Sequence, residues 1–320
     1  MTQEEILNRH RQTLHGTLKS IRLRSNALRA NKDFYLYEPP YYGHPLISQE
    51  IHTLYLFRGH EREYVNLYED GSRKTVTTIE LLDQLIVAGI LPPIIAVMPG
   101  LNSHNNHVPS LGIDMVGKWE KHLKGLGTGK FWQFLKNELF PYVETHWPLG
   151  KSGLRLAAGF SLGGYTVSMI ASRAPRLFDH IGIFDGTMMW PEQNDPRYPE
   201  PADGVWRSAR IFDAALGNPR DENTMRQWNP TDTILAAEGE QLKHLRNTVF
   251  WVASAPHDGM RGNLERCEYF AQMLREREIP LGWKEVPFDP AAEHNWYWNN
   301  QFIMRFLHHI FNTHHPRKTT

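Results

Sequence analysis

The chain has 320 residues, with 35 basic and 35 acidic side chains, a formal net charge of zero and 41% hydrophobic residues. This balance is typical of a globular protein and gives no basic surface for nucleic acid. A single cysteine, Cys267, excludes an intramolecular disulfide framework. The polar opening segment predicts no secretory signal, and no apolar run is long enough to predict a membrane span. We therefore expect a cytoplasmic protein.

Strand and helix patterns alternate along the chain, which predicts an α/β fold with a mainly parallel sheet of roughly eight strands. The predicted strands are 20–25, 33–40, 52–59, 92–100, 153–160, 178–187, 247–255 and 281–288, and the predicted helices are 3–15, 75–90, 129–147, 162–175, 263–278 and 296–312. Residues 188–245 are irregular and rich in Pro, Trp and Asp, which predicts an insertion over the active-site side. No linker divides the chain, so we expect one domain over residues 1–320.

A serine between two glycines stands at a predicted strand-to-helix junction, in "LRLAAGFSLGGYTVSMIAS". The pentapeptide Gly159–Gly163 fits the pattern G-x-S-x-G, in which a nucleophilic serine occupies a sharp turn of the α/β-hydrolase fold. Glycines remove side chains that would collide in such a turn, and the following helix directs free N–H groups towards Ser161. The sequence favours Ser161 as a nucleophile. The alternative interpretation is a helix N-cap serine.

A serine nucleophile needs a base and an acid that orients the base, in the chain order Ser, acid, His. His294 is the only late histidine that lies between the last predicted strand and the final helix, so we expect it to be the base. Asp258 follows the strand 247–255 and is the preferred acid. Asp185, at the end of the strand 178–187, is the alternative acid.

Two backbone N–H groups are expected to stabilise the negative charge on the substrate oxygen. One should belong to Leu162, which follows the nucleophile. The other should come from the loop after the third strand, in "LYLFRGHEREY". There we favour the backbone amide of His60 over its ring.

Five segments in this order resemble the putative-esterase (esterase D-like, enterochelin-esterase-like) family of α/β-hydrolases: "LYLFRGH", "LLDQLIVAGILPPIIAVMPG", "FLKNELFPYVETHWPL", "AGFSLGG" and "HNWYW". The resemblance implies Ser161 as nucleophile, Asp258 as acid and His294 as base, with the oxyanion amides at His60 and Leu162. Two segments depart from the family pattern. The third strand ends in "FRG" rather than "LHG" or "LDG". The segment "FDGT" has an aspartate where serine–glycine is common, so Asp185 remains the alternative acid.

The histidines of "HNNH" at 104–107 lack further ligands at zinc-like spacing, so we expect no metal and no cofactor, and a polar loop near the active-site mouth instead. The sequence thus predicts a serine carboxylic-ester hydrolase that cleaves a small-molecule ester or thioester through an acyl-enzyme. The alternatives are an acyltransferase with the same residues and a non-catalytic binding protein with this fold. A homodimer is left open.

Overall fold

The computed structural model describes residues 1–45, 47–120, 122–191, 204–257, 259 and 262–314. Its centre is a seven-stranded sheet with the spatial order β1-β2-β4-β3-β5-β6-β7. The strands are β1 (Thr17–Ser25), β2 (Ala30–Glu38), β3 (His52–Phe57), β4 (Ile94–Pro99), β5 (Arg155–Phe160), β6 (His180–Phe184) and β7 (Val249–Ala253).

The edge pair β1 and β2 forms an antiparallel hairpin, and β2 is antiparallel to β4. The remaining pairs, from β4 through β3, β5 and β6 to β7, are all parallel. Buried parallel strands are expected to be almost entirely apolar, and the run "IIAVMP" of β4 is buried throughout. The prediction of an α/β fold with a mainly parallel sheet is confirmed.

Helices cover both faces of the sheet. They are α1 (Gln3–Thr13), α2 (Thr78–Val87), α3 (Phe131–Phe134), α4 (Phe140–His146), α5 (Leu162–Arg173), α6 (Gly204–Ser208), α7 (Asp213–Leu216), α8 (Glu222–Trp228), α9 (Pro230–Leu235), α10 (Gly239–Leu245), α11 (Asn263–Glu276) and α12 (Trp296–His309). Alternate side chains of β3 enter opposite cores: Tyr55 and Phe57 meet the core that includes α5, whereas Leu54 and Leu56 meet the core that includes α12. None of the helices within the described ranges is long and apolar enough to cross a membrane.

Two predicted elements differ from the observed ones. The segment 281–288 runs beside β7 but forms only two isolated bridges, at Leu281 and Pro287, instead of an eighth strand. Proline cannot donate to a ladder, and it is found only at edges or breaks of sheets. The long predicted helix 129–147 is divided by a π-helical segment, Leu135–Leu139, just before Pro141. Proline removes one helical hydrogen bond, which accounts for the local widening.

The region predicted as an insertion, 188–245, carries the short helices α6 to α10, and residues 192–203 lie outside the described part. The helices pack against α5. The Tyr165 hydroxyl donates to the Trp228 carbonyl oxygen at 2.9 Å, and the rings of Tyr165 and Trp206 have their centroids 4.8 Å apart. The insertion is therefore fixed to the helix that follows Ser161.

Candidate active site

Three parallel strands end at the same level, because Phe160 pairs with Phe184 and Phe184 with Ala253. The residues that follow these ends are Ser161, Asp185 and Ser254. In open α/β sheets the carboxyl edge of the parallel strands is where ligands bind. The register alone thus brings a hydroxyl, a carboxylate and a second hydroxyl to one edge of the sheet.

Ser161 occupies a strained turn between β5 and α5. Its φ of 56° lies in the left-handed region, which costs a residue other than glycine on the order of 1–3 kcal/mol. It stands at the N-cap position of α5, yet its side chain makes no capping hydrogen bond. The turn is closed by glycine: a Cβ on Gly163 would lie 1.9 Å from the Phe57 carbonyl oxygen. The structure therefore gives the hydroxyl no role as a helix cap.

Asp185 is fully buried, also with a positive φ, of 48°. Its Oδ1 accepts hydrogen bonds from the Ser254 hydroxyl and from the Ala255 amide, the latter at 3.2 Å. Its Oδ2 lies in hydrogen-bond contact with Nδ1 of His294. A buried carboxylate is stable only when its oxygens are bonded, and these contacts supply bonds to both oxygens.

His294 is held from three directions. Asp185 contacts Nδ1, the backbone amide donates to the His257 carbonyl oxygen at 3.2 Å, and the ring packs on Phe160 with centroids 4.7 Å apart. A carboxylate on Nδ1 fixes the tautomer in which Nε2 carries the free lone pair. Asn263 adds to this arrangement, since its Nδ2 donates to the Asp185 carbonyl oxygen at 3.1 Å and lies 3.5 Å from Nδ1.

The two amides predicted to bind an oxyanion differ in their surroundings. Leu162 is the first residue of α5, where a backbone N–H has no acceptor within the helix. The amide of His60 instead donates to Glu63 Oε2 at 2.7 Å, as part of a capping box over Glu61–Tyr64. In this conformation a nearby carboxylate already accepts from the His60 amide, and the role of that amide in the oxyanion hole stays a prediction.

The ends of β3 and β4 gather buried charges. The Lys32 ammonium donates to the Asn102 carbonyl oxygen, and burial lowers the pKa of Lys32 to about 8. Burial likewise raises the pKa of Glu61 and lowers that of His60. The "HNNH" loop joins this region, because the His60 ring lies 3.1 Å, through Nε2, from the carbonyl oxygen of His104. The described residues contain no group of three or more side chains arranged to hold a metal ion.

The family model named "Putative esterase" matches residues 25–309 of the chain. The chain belongs to the Putative esterase family. No curated protein sequence matches this esterase. The family is one of esterases, and the fold of this chain is shared by solved structures of esterases and hydrolases.

Solved structures share the fold at low sequence identity. A ferulic acid esterase is 20% identical with a TM-score of 0.62, and the match covers 92% of this esterase and 96% of that chain. An S-formylglutathione hydrolase from Agrobacterium tumefaciens is 16% identical with a TM-score of 0.61, over 92% and 95% of the two chains. The fluorophosphonate-binding serine hydrolase FphF of Staphylococcus aureus is 16% identical with a TM-score of 0.62, over 91% and 97%.

The sequence analysis of this esterase left the acid open between Asp258 and Asp185, and it missed two further residues of the site. Asp258, the preferred acid, lies outside the described residues, and the carboxylate that contacts His294 is that of Asp185. Asp185 directly follows β6, a signal already visible in "GIFDGT". Ser254 and Asn263 were missed. Ser254 could have been found as the residue that follows a strand end, whereas Asn263 carries no motif.

Proposed function

We propose that Ser161, His294 and Asp185 form the catalytic triad of this ester hydrolase, with Asp185 rather than Asp258 as the acid. The observation that carries the proposal is the contact between the Asp185 carboxylate and Nδ1 of His294, at the strand end next to that of Ser161. A base oriented by a carboxylate, beside a serine on a strained turn, is the arrangement that activates a hydroxyl.

In the proposed reaction, Nε2 of His294 takes the proton of Ser161 as Oγ attacks the ester carbonyl. Asp185 stabilises the imidazolium that results. The Leu162 amide donates to the oxyanion, and the tetrahedral intermediate collapses as His294 protonates the leaving group. Water, activated by the same imidazole, then hydrolyses the acyl-enzyme and regenerates Ser161. For the His60 amide to be the second donor, it must exchange its bond to Glu63 for the oxyanion.

The test combines covalent labelling with turnover. We expect wild-type protein to bind a fluorophosphonate probe and to hydrolyse p-nitrophenyl esters, and Ser161→Ala to lose both. Ser168→Ala is the matched control, because this buried serine also lies on α5, and its hydroxyl donates to carbonyl oxygens of that helix and contacts the Met188 sulfur rather than the proposed triad. Equal labelling of wild type and Ser161→Ala would exclude Ser161 as the nucleophile and would favour a non-catalytic binding protein.

Acyl transfer is the second candidate activity, and the same residues would perform it. Added alcohols would then capture the acyl group in preference to water, which product analysis measures directly. Ester hydrolysis is preferred here because the family is one of esterases. Three expectations stay predictions from the sequence: an insertion at 188–245 over the active-site side, a single domain over 1–320 and a cytoplasmic location. Whether the chain forms a homodimer stays open.

A further inference from the structure

Two arginines near the proposed triad have buried guanidinium nitrogens without an acceptor. Arg73 is 1% exposed, and Nε and both terminal nitrogens are buried without a hydrogen-bond partner. Arg58 is half-buried, and its Nε is likewise buried and unpartnered. Neither side chain forms an ion pair within the described part of the chain. By contrast, Arg62 on the same loop donates to Glu69 at 3.0 Å.

Both cations flank the aromatic side chains that support the proposed base. The guanidinium carbon of Arg58 lies 5.5 Å from the Phe160 ring centroid, and the same ring packs on His294. The guanidinium carbon of Arg73 lies 3.7 Å from the ring centroid of Trp296, which in turn is 5.3 Å from Phe160. Two positive charges thus contact a pair of aromatic rings, of which Phe160 packs directly on the imidazole.

Arg58 is also close to the nucleophile turn through its backbone. It directly follows β3, and a Cβ on Gly163 would lie 2.9 Å from its Cα. Gly163 is only two residues from Ser161. The guanidinium itself lies over the ring of Phe160, the residue that precedes Ser161, so Arg58 and the nucleophile occupy neighbouring strand ends.

Of the two arginines, the half-buried Arg58 is the one that a ligand can reach, and its buried Nε lacks an acceptor. A desolvated guanidinium without acceptors forgoes its hydrogen bonds, and the cation–π contacts, worth about 1–2 kcal/mol each, offset only part of that loss. Burial lowers the pKa of Arg73 to about 10, although Glu63 and Asp70 oppose this from a distance. A substrate carboxylate would supply charge and paired acceptors that match the planar fork of an arginine.

We propose that Arg58 is a specificity-determining residue that binds a carboxylate on the substrate, so that this enzyme favours esters of dicarboxylic or hydroxycarboxylic acids over neutral esters. Arg58 makes the contact because it is partly exposed. Arg73 adds positive charge from behind Trp296, since its own burial keeps it from the substrate. This inference rests on the proposed esterase function and specifies the substrate class of the same site.

The test compares matched anionic and neutral esters. One pair places the charge on the acyl side: mono-4-nitrophenyl adipate against 4-nitrophenyl hexanoate. The other pair places it on the leaving group: 4-acetoxybenzoate against phenyl acetate. For wild type we expect kcat/KM to favour the anionic member of at least one pair. In Arg58→Gln that ratio should fall at least tenfold, about what one lost charged hydrogen bond gives. The control Arg62→Gln should keep the wild-type ratio.

Failure of this inference is distinguishable from failure of the proposed function. If wild type labels with a fluorophosphonate and hydrolyses neutral esters but never favours an anionic ester, the inference is overturned and the function stands. An anionic preference that survives unchanged in Arg58→Gln also overturns it. If Arg58→Gln does not fold, inhibition of wild type by carboxylates and neutral analogues decides. The inference requires either adipamate to bind at least tenfold more tightly than hexanamide, or 4-hydroxybenzoate to bind at least tenfold more tightly than phenol. Absence of labelling and of all ester hydrolysis would instead refute the function.

Discussion

The carboxyl edge of the sheet has two halves that are built differently. At the ends of β5, β6 and β7, Ser161 lies in a closed glycine turn and both oxygens of Asp185 are bonded. At the ends of β3 and β4, the charges of Lys32 and Arg58 are buried or half-buried, and polar atoms remain without partners. At the ends of β5, β6 and β7 the side chains are held by contacts within the protein. At the ends of β3 and β4 the buried Nε of Arg58 has no acceptor within the protein, so a ligand could supply one.

The largest expected effect comes from removing the charge of Asp185, at the ends of β5, β6 and β7. We expect Asp185→Asn to lower kcat by about 10⁴-fold, because the amide favours the wrong imidazole tautomer while the shape is kept. Asp258→Asn should lower kcat less than tenfold. Steady-state hydrolysis of a p-nitrophenyl ester measures both variants. A larger loss in Asp258→Asn would return the acid to the loop after β7.

The rigidity of the turn at Ser161 can be tested by adding one methyl group at Gly163. A Cβ on Gly163 would lie 1.9 Å from the Phe57 carbonyl oxygen, so Gly163→Ala should lower the free energy of unfolding by about 3 kcal/mol or more. Gly71→Ala is the matched control, because a Cβ there has nothing within 4 Å. Urea denaturation gives both values. Equal stabilities would mean that the turn is not rigid.

The buried charge of Lys32, near the ends of β3 and β4, should make the stability of the protein depend on pH. Burial lowers the pKa of Lys32 from 10.5 to about 8, so the native state holds fewer protons than the unfolded chain between these values. The charged lysine therefore costs stability below pH 8, and this cost disappears as the pH rises to 10.5. We expect Lys32→Met to be more stable than wild type at pH 7, and this advantage to shrink by about 3 kcal/mol by pH 10.5. A difference in the free energy of unfolding between Lys32→Met and wild type that does not change with pH would contradict a buried charge at Lys32.

The smallest expected effect concerns the amide of His60. Glu63→Gln replaces a charged acceptor by a neutral one, which should lower the free energy of unfolding by about 1 kcal/mol. If the His60 amide exchanges partners during catalysis, kcat should rise up to about fivefold, because the competing bond is weaker. Glu69→Gln, a carboxylate on the same loop bonded to Arg62, is the control. An unchanged kcat would remove His60 from the oxyanion hole.

The two halves of this sheet edge differ in how much of each could be predicted from the sequence. The turn at Ser161 was predictable because its requirement is local: a strand, two small residues and a helix. The acid was harder, because β6 and β7 end side by side, and an aspartate near either end satisfies the pattern. Asp185 is distinguished only by register, which places it next to Ser161 and under His294.

The charged half could not be predicted, since it depends on contacts between distant segments. The sequence shows Gly59 and His60 after β3, but nothing in it shows that Glu63 folds back onto the His60 amide. Similarly, "FRG" marks Arg58 as a departure from the family without showing that Phe160 lies beneath its guanidinium. The segment 281–288 did not form a strand for a different, local reason, because Pro287 interrupts an otherwise suitable pattern.

The contact between Asp185 and His294 has an evolutionary consequence. If Asp185 is the acid, as proposed, the segment that follows His257 does not have to supply an orienting carboxylate. Relatives that hold their histidine in the same way can therefore change the segment beyond His257, whereas Ser254, Ala255 and His257 bond Asp185 and His294 and are constrained. We expect sequence drift to concentrate there, and new substrate preferences to arise at that rim while the strand ends of β5 and β6 stay unaltered.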